Sequence, residues 1–290
     1  MSKPDKYIIL NGSIIAEDEA KIPAVSSGLY YGAGCFETFI AENGGIFKFK
    51  AHIERLNRGL KYLGVSGKDW VDEDLILKQV KELLEKNGLS NNRSRIRVQV
   101  SLNEKGGYLK RDESSLITVI SSQIAEKKSD PKKLILSETI VVPSQARPSE
   151  LKLSNTLHYR QAFREANKKG ADDAVMLTVK GSVAETSIAN IFWMKDGKVF
   201  TPSVHCDILP GIMRNSIIEI LNDQLQIDAE EGQFNMDDLL NADFVWLTNS
   251  VLEVIPVSDI ENISFRVEAD FFTLLEKELE RYKKENTTYV

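Results

Sequence analysis

Three residues of this 290-residue chain have side chains that could do chemistry: Lys152, Glu185 and Arg55. Taken one at a time, their ordinary interpretations are a surface lysine, a strand-edge glutamate and a solvated helix arginine. A lysine amine attacks a carbonyl only when it is neutral, so burial or nearby positive charge must lower its pKa. Lys152 lies between Leu151 and Leu153, which predicts partial burial. Glu185 lies among small and apolar residues, which is unusual for a surface glutamate. The guanidinium of Arg55 suits a bidentate contact with phosphate.

The composition narrows the class of protein. A net charge of −6 gives no general attraction to nucleic acid or anionic membranes, so a bound phosphate would need a local pocket. Two cysteines without a CxxC pair suit a reducing compartment. The N-terminus has no apolar signal core, and no segment approaches the ~18–20 apolar residues of a membrane helix. We expect a cytoplasmic protein with no nucleic-acid or membrane partner, and we assign no metal ligand.

The elements that position these residues divide into two α+β halves. The polar, charged segment 123–133 predicts a linker, which makes 1–122 a small N-terminal domain and 134–290 a larger C-terminal domain that carries Lys152. The first half is expected to contain hairpins at 7–15 and 36–49, helices at 53–63 and 76–84, and strands at 95–102 and 116–121. The second half is expected to contain strands at 134–142, 174–178, 188–194, 198–201, 244–247 and 253–257, with helices at 156–168, after Pro210-Gly211 and at 268–284.

Six motifs follow one another along the chain: GLYYGAGCFET at 28–38, HIERL at 52–56, LKLSNTL at 151–157, SVAETSIANIF at 182–192, ILPGIMR at 208–214 and LTNSVLEVIPV at 247–257. In this order and spacing they resemble the class IV, fold-type IV enzymes that depend on pyridoxal 5'-phosphate (PLP). That family includes branched-chain and D-amino-acid aminotransferases and 4-amino-4-deoxychorismate lyase. The resemblance implies a two-domain α+β fold like that of D-amino-acid aminotransferase, with PLP in the crevice between the domains, and a homodimer.

The resemblance also implies a role for the residues named at the outset. Lys152 would be the catalytic residue that forms the Schiff base with PLP, and Arg55 would bind the PLP phosphate. Glu185 would pair with the pyridine nitrogen, because a carboxylate there keeps the ring protonated and able to accept electrons. Ser187 and Asn190 would support this site by hydrogen bonds.

A phosphate cup completes the cofactor site that the resemblance implies. The backbone N–H groups of Ile212 and Met213, at the start of a helix, would bind the phosphate without side-chain charge. A hydroxyl from the last motif would complete the cup; Ser250 aligns best, and Thr248 is the alternative.

The reaction is less determined, because one fold supports several PLP reactions. The residues of several motifs resemble those of aminodeoxychorismate lyase more than those of an aminotransferase acting on branched-chain or D-amino acids. The lyase yields 4-aminobenzoate and pyruvate for folate synthesis. Thr38 and Tyr31 are candidates to contact the substrate, and Arg97 is a candidate to bind its carboxylate. A non-catalytic protein that binds phosphate ligands is a further alternative. Finally, Ser26, Ser27 and Ala33 stand where the family usually has other residues.

Overall fold

The chain forms two compact units in the computed structural model, which describes residues 6–105, 115–127, 130–267 and 269–289. Unit 1 comprises Met1–Glu126, Leu151–Asn155 and Asn286–Val290, and unit 2 comprises Lys127–Glu150 and Thr156–Glu285. This division differs from the boundaries expected from the sequence, which placed Lys152 in the C-terminal domain. The reason is backbone pairing: the Phe36 N–H donates to the Lys152 carbonyl at 3.0 Å, and the Ser154 N–H donates to the Gly34 carbonyl at 2.9 Å.

Unit 1 is an antiparallel sheet with helices. Its elements in chain order are β1 (Tyr7–Leu10), β2 (Ser13–Ala16), α1 (Ser27–Tyr31), β3 (Gly34–Glu42), β4 (Gly45–Phe47), α2 (Phe49–Tyr62), α3 (Glu73–Lys86), β5 (Ser94–Leu102) and β6 (Leu116–Ile124). The strands lie in the order β4-β3-β5-β6-β1-β2.

Residues of β3 and β5 alternate between the core and the opposite face of this sheet. Phe39 and Ile96 are buried in the core together with Leu56 and Leu60 of α2. Side chains on the opposite face, which we call the open face, are partly or fully exposed. The open face is therefore the side of unit 1 on which strand side chains can meet a ligand.

Unit 2 is a mixed sheet with helices. Its elements are β7 (Lys132–Leu136), α4 (Leu157–Lys168), β8 (Asp173–Leu177), β9 (Val183–Thr186), β10 (Asn190–Lys195), β11 (Lys198–Pro202), α5 (Ile212–Glu219), β12 (Ala229–Gly232), α6 (Met236–Leu240), β13 (Phe244–Asn249), β14 (Glu253–Ile260), β15 (Ile263–Ser264) and α7 (Ala269–Glu285). The strands follow the order β12-β11-β10-β13-β14-β7-β8-β9, with β15 paired to β14. A last strand, β16 (Thr287–Tyr289), returns to unit 1 and pairs with β4.

Most expected elements are confirmed, and the differences have local causes. The strand expected at 134–142 ends at Leu136, because Ser137 and Thr139 turn their hydroxyl groups to the carboxylate of Glu165. The second hairpin ends earlier than expected, since Lys48 has a left-handed backbone and starts α2. The short buried strand β9 lies in a motif for which no strand was expected. In the described ranges, no helix is both long and apolar enough to cross a membrane.

Candidate functional site

Lys152 lies on a short segment, Leu151–Asn155, that belongs to unit 1 and runs beside strand β3. Leu151 and Leu153 are buried at 6% and 4% exposure, whereas Lys152 between them is half-buried. Leu153 forms an isolated antiparallel bridge with Cys35 of β3. The ammonium nitrogen of Lys152 lies 4.9 Å from the centre of the Phe36 ring. Its flanking leucines therefore anchor the backbone while its amine reaches the open face.

Two of the predicted substrate residues share that face with Lys152. Thr38 on β3 and Arg97 on β5 are direct cross-strand partners. The guanidinium carbon of Arg97 lies 3.8 Å from the centre of the Phe36 ring, so Arg97 and Lys152 contact the same ring. Tyr31, the third predicted residue, lies at the end of α1, where 45% of it is exposed and its ring meets Tyr30 edge-on at 6.2 Å. The structure thus brings Lys152, Thr38 and Arg97 together around Phe36.

Arg55 lies on the core side of the same sheet, in a buried charged cluster with Glu37 and His52. Its Nε donates to Glu37 Oε1 at 2.6 Å, and its Nη2 donates to Glu37 Oε2 at 2.8 Å. His52 Nδ1 lies 2.7 Å from the same carboxylate. Burial alone would raise the pKa of Glu37, but the charge and hydrogen bonds of Arg55, followed by those of His52, lower it to about 2. Glu37 is therefore held in its ionised form and orients Arg55 through two hydrogen bonds.

Glu185 lies on β9 of unit 2, and groups from three segments hold its carboxylate. The Tyr159 hydroxyl donates to Oε1 at 2.5 Å, Asn190 Nδ2 donates to Oε2 at 3.0 Å, and the Leu209 N–H lies 3.2 Å from both oxygens. Burial, and then the charge of Glu185, raise the pKa of Tyr159 well above its usual value. Tyr159 therefore keeps its proton and remains a donor, and the buried carboxylate has a fixed orientation.

Ser187 supports this region indirectly. Its hydroxyl donates to Asp173 Oδ1 at 2.5 Å, and its N–H donates to the same oxygen at 3.2 Å. Burial raises the pKa of Asp173, although these hydrogen bonds oppose the shift. The contact fixes the turn that follows Glu185, so Ser187 acts on the backbone of that turn and Asn190 acts on the carboxylate itself.

The start of α5 has the features of an anion site. Ile212 and Met213 form its first turn, where backbone N–H groups have no partner within a helix. The preceding Gly211 is required by close packing, because a Cβ there would lie 2.2 Å from Asn190 Oδ1. Thr248 is the cross-strand partner of Asn190, and its Oγ1 is buried without a hydrogen-bond partner in the described structure. The N–H groups of a helix start and an unpartnered hydroxyl fit the phosphate of PLP.

The unpartnered hydroxyl favours Thr248 as a phosphate-binding residue, in addition to Ser250, which the sequence motif favoured. Ser250 is half-buried in the turn between β13 and β14. Unlike Thr248, it has no buried orphaned oxygen, so only Thr248 is marked by an unmet hydrogen bond.

Three features of the structure are those of a fold-type IV PLP enzyme: a lysine amine on an open sheet face, a buried carboxylate with three donors, and a helix start suited to phosphate. The chain belongs to the class IV amino-transferase family, whose model matches residues 34–260, and it is accordingly a PLP-dependent enzyme.

Known proteins of two activities are similar to this chain. An aminodeoxychorismate lyase of Bacillus subtilis is 32% identical, with 89% of this chain and 88% of the relative covered. A putative branched-chain-amino-acid aminotransferase of Methanocaldococcus jannaschii is 30% identical, with 88% of each covered. The crystal structure of a branched-chain aminotransferase from Thermoproteus uzoniensis with norvaline has a TM-score of 0.89 at 26% identity, covering 98% of this chain and 99% of that one.

Sequence reasoning did not assign roles to Phe36, Tyr159 and Asp173, and it left the partner of Glu37 unnamed. A signal for Glu37 was available: it occupies a core position of an alternating strand, and a buried carboxylate requires a cation. Arg55 and His52 recur at helical spacing and could have supplied that partner. Tyr159 gave no such signal, because its contact with Glu185 joins two distant segments.

Proposed function

We propose that this protein is a PLP-dependent lyase that converts 4-amino-4-deoxychorismate into 4-aminobenzoate and pyruvate. The observation that carries the proposal is the polar, cationic character of the open face beside Lys152, with Thr38 opposite Arg97 and Gln99 next along β5. The resemblance to the lyase of Bacillus subtilis supports it.

The chemistry of the two candidate substrates explains why this face matters. 4-Amino-4-deoxychorismate carries two carboxylates, which a guanidinium binds well. A branched aliphatic side chain placed here would bury Thr38 and Arg97 without giving them hydrogen bonds, which is unfavourable. The face therefore suits an anionic substrate better than an aliphatic one.

The residues of the chain can be assigned roles in this reaction. When bound, PLP supplies an electron sink for the substrate carbon that bears the amino group. Lys152 would hold the cofactor and then act as the base that removes the proton from that carbon. Arg97 would hold a carboxylate and Thr38 would contact the substrate beside it. Loss of the enolpyruvyl group leaves the aromatic product, and a proton added to the methylene carbon of that group gives pyruvate.

Other residues would hold the cofactor. Glu185, oriented by Tyr159 and Asn190, would hold a proton at the ring nitrogen. Arg55 would bind the phosphate together with the N–H groups of Ile212 and Met213. The hydroxyl groups of Thr248 and Ser250 would complete that site.

An aminotransferase is the second candidate. It is favoured by the similarity to the putative branched-chain-amino-acid aminotransferase of Methanocaldococcus jannaschii and to the solved branched-chain aminotransferase of Thermoproteus uzoniensis. The two candidates differ in product. The enzyme should release 4-aminobenzoate and pyruvate from aminodeoxychorismate, and parallel assays should offer leucine, D-alanine or glutamate with 2-oxoglutarate or pyruvate. Turnover in the aminotransferase assays alone would refute the lyase proposal.

The role of Lys152 has a direct test. Borohydride reduction of the yellow holoenzyme should fix a pyridoxyl group on Lys152, which peptide mapping locates. Lys152→Ala should abolish both the adduct and turnover, whereas Lys168→Ala, at an exposed position of α4, should preserve them. An adduct on another lysine would disprove the assignment. The homodimer and the cytoplasmic location stay predictions; light scattering of the purified protein tests the first.

A further inference from the structure

Two arginines on the open face have no anionic partner within the described ranges. Arg95 and Arg97 lie two residues apart on β5, so both side chains leave the sheet on the same side. Each donates to a neutral amide: Arg95 Nη2 to Gln123 Oε1 at 2.7 Å, and Arg97 Nη2 to Gln99 Oε1 at 2.9 Å. An amide oxygen orients a guanidinium but does not neutralise it. Two like charges held side by side repel each other, and a bound anion would relieve that repulsion.

Both arginines line one cleft of about 190 Å³ in unit 1. No carboxylate is among its lining residues, which are Lys6, Thr38, Arg95, Arg97, Ser121, Ser122 and Gln123. Lys6 is already paired with Glu17 at 3.1 Å, so the unneutralised charge of the cleft belongs to the two arginines. Hydroxyl groups and guanidinium groups together provide the donors that a carboxylate requires.

The strand register gives these groups an order relative to Lys152. Phe36, which contacts the Lys152 amine, is opposite Gln99; Thr38 is opposite Arg97; and Ile40 is opposite Arg95. Arg97 is therefore adjacent to the reacting lysine, and Arg95 lies one step further along the face. A substrate that extends from Lys152 along the strands meets Arg97 first and Arg95 second.

We infer that Arg95 is a second anion subsite and that the enzyme selects a substrate with two carboxylates, one held by Arg97 and the other by Arg95. The inference rests on the proposed function for the place of Lys152 and Arg97, and it adds the residue that distinguishes dicarboxylates from monocarboxylates. A lyase acting on aminodeoxychorismate and an aminotransferase acting on a dicarboxylic amino acid would both use it.

Equilibrium binding to the holoenzyme tests the inference without turnover. Glutarate and pentanoate have the same carbon chain and differ in one carboxylate, and isothermal titration calorimetry measures the dissociation constant of each. The unsubstituted enzyme should bind glutarate more tightly than pentanoate. Arg95→Gln should weaken glutarate binding about tenfold or more, the usual effect of losing a hydrogen bond to a charged group. It should leave pentanoate binding within about twofold.

Matched variants separate a subsite from general charge attraction. Arg58→Gln removes an exposed charge from α2, on the other side of the sheet, and should leave both dissociation constants within about twofold. Arg97→Gln should weaken both ligands. The inference is wrong if Arg95→Gln leaves glutarate binding unchanged or weakens the binding of glutarate and pentanoate alike. It is also wrong if the unsubstituted enzyme does not bind glutarate more tightly than pentanoate. Failure of the lyase proposal would appear separately, as absence of 4-aminobenzoate in the product assay.

Discussion

The buried cluster of Glu37, His52 and Arg55 gives a prediction whose size follows from the structure. Glu37 is fully buried, with a pKa of about 2 against an ordinary 4.5. At ~1.4 kcal/mol per pH unit, that difference corresponds to roughly 3 kcal/mol of stability. Removing one partner of a buried ion pair costs a similar ~3–5 kcal/mol, because the remaining charge is left buried. Glu37→Gln should therefore destabilise unit 1 by about 3 kcal/mol or more.

Hydrogen exchange read by mass spectrometry can localise the effect, since the two units need not unfold together. Amides of β3 and α2 should exchange faster in Glu37→Gln than in the unsubstituted protein, at pH 7 and without cofactor. Glu54→Gln, an exposed change on the same helix, is the matched control and should alter stability by less than about 0.5 kcal/mol. Equal protection of β3 in both variants would refute the reasoning that Glu37 is held ionised by Arg55.

The same cluster predicts how stability depends on pH. Burial lowers the pKa of His52, and Glu37 only partly opposes this, so the unfolded chain binds a proton at His52 more readily than the folded chain. Stability from His52 is complete above its ordinary pKa of 6.5 and is lost as the pH falls below it. Stability from Glu37 is complete above 4.5 and is lost as the pH falls towards 2. Denaturant titrations should show a decline in both windows, and Glu37→Gln should abolish the lower one.

Three further substitutions test the residues of unit 2 that are proposed to hold the cofactor. Gly211→Ala should weaken PLP binding at least tenfold in a fluorescence titration, because the added Cβ would displace Asn190 from Glu185. An unchanged affinity for PLP would contradict this packing argument. Thr248→Val should leave the cofactor-free protein as stable or up to ~1–3 kcal/mol more stable, since it removes an unpartnered buried hydroxyl, while lowering PLP affinity; loss of stability instead would count against it. Tyr159→Phe should cost about 1.5–3 kcal/mol in thermal unfolding, because Glu185 loses a donor, and an unaltered melting temperature would show the bond to be weak.

Patterns within short stretches predicted much of the fold. The alternation of 95–102 fixed which residues of β5 face outwards, and the helical spacing of Ile53, Leu56 and Leu60 identified the core face of α2. Such patterns report which side of an element is apolar, and that information is local. They did not show where Leu136 ends its strand, because that end depends on Glu165, a residue from a distant helix.

In the candidate site, too, the sequence predicted local features but not the contacts between distant segments. The motifs predicted Lys152, Glu185 and Arg55 as site residues, but they did not name the groups that hold them. Arg55 is held by a carboxylate eighteen residues earlier, and Glu185 by a phenol twenty-six residues earlier. These contacts depend on how distant elements pair, which no single stretch encodes.

The chemical reading of the open face follows from one property of strand geometry. Because neighbouring positions of β5 point to opposite sides, Arg95 and Arg97 present two charges to the ligand side while Ile96 and Val98 fill the core. A pocket for aliphatic side chains would have apolar residues at both outward positions, whereas this chain has guanidinium groups there. The same sheet can therefore be shared by relatives named as branched-chain aminotransferases and, under the proposed function, by a lyase of anionic substrates, since the difference would reside in outward side chains that the core does not constrain. For this reason, exchanging Arg95 should alter which ligands bind while leaving the fold intact.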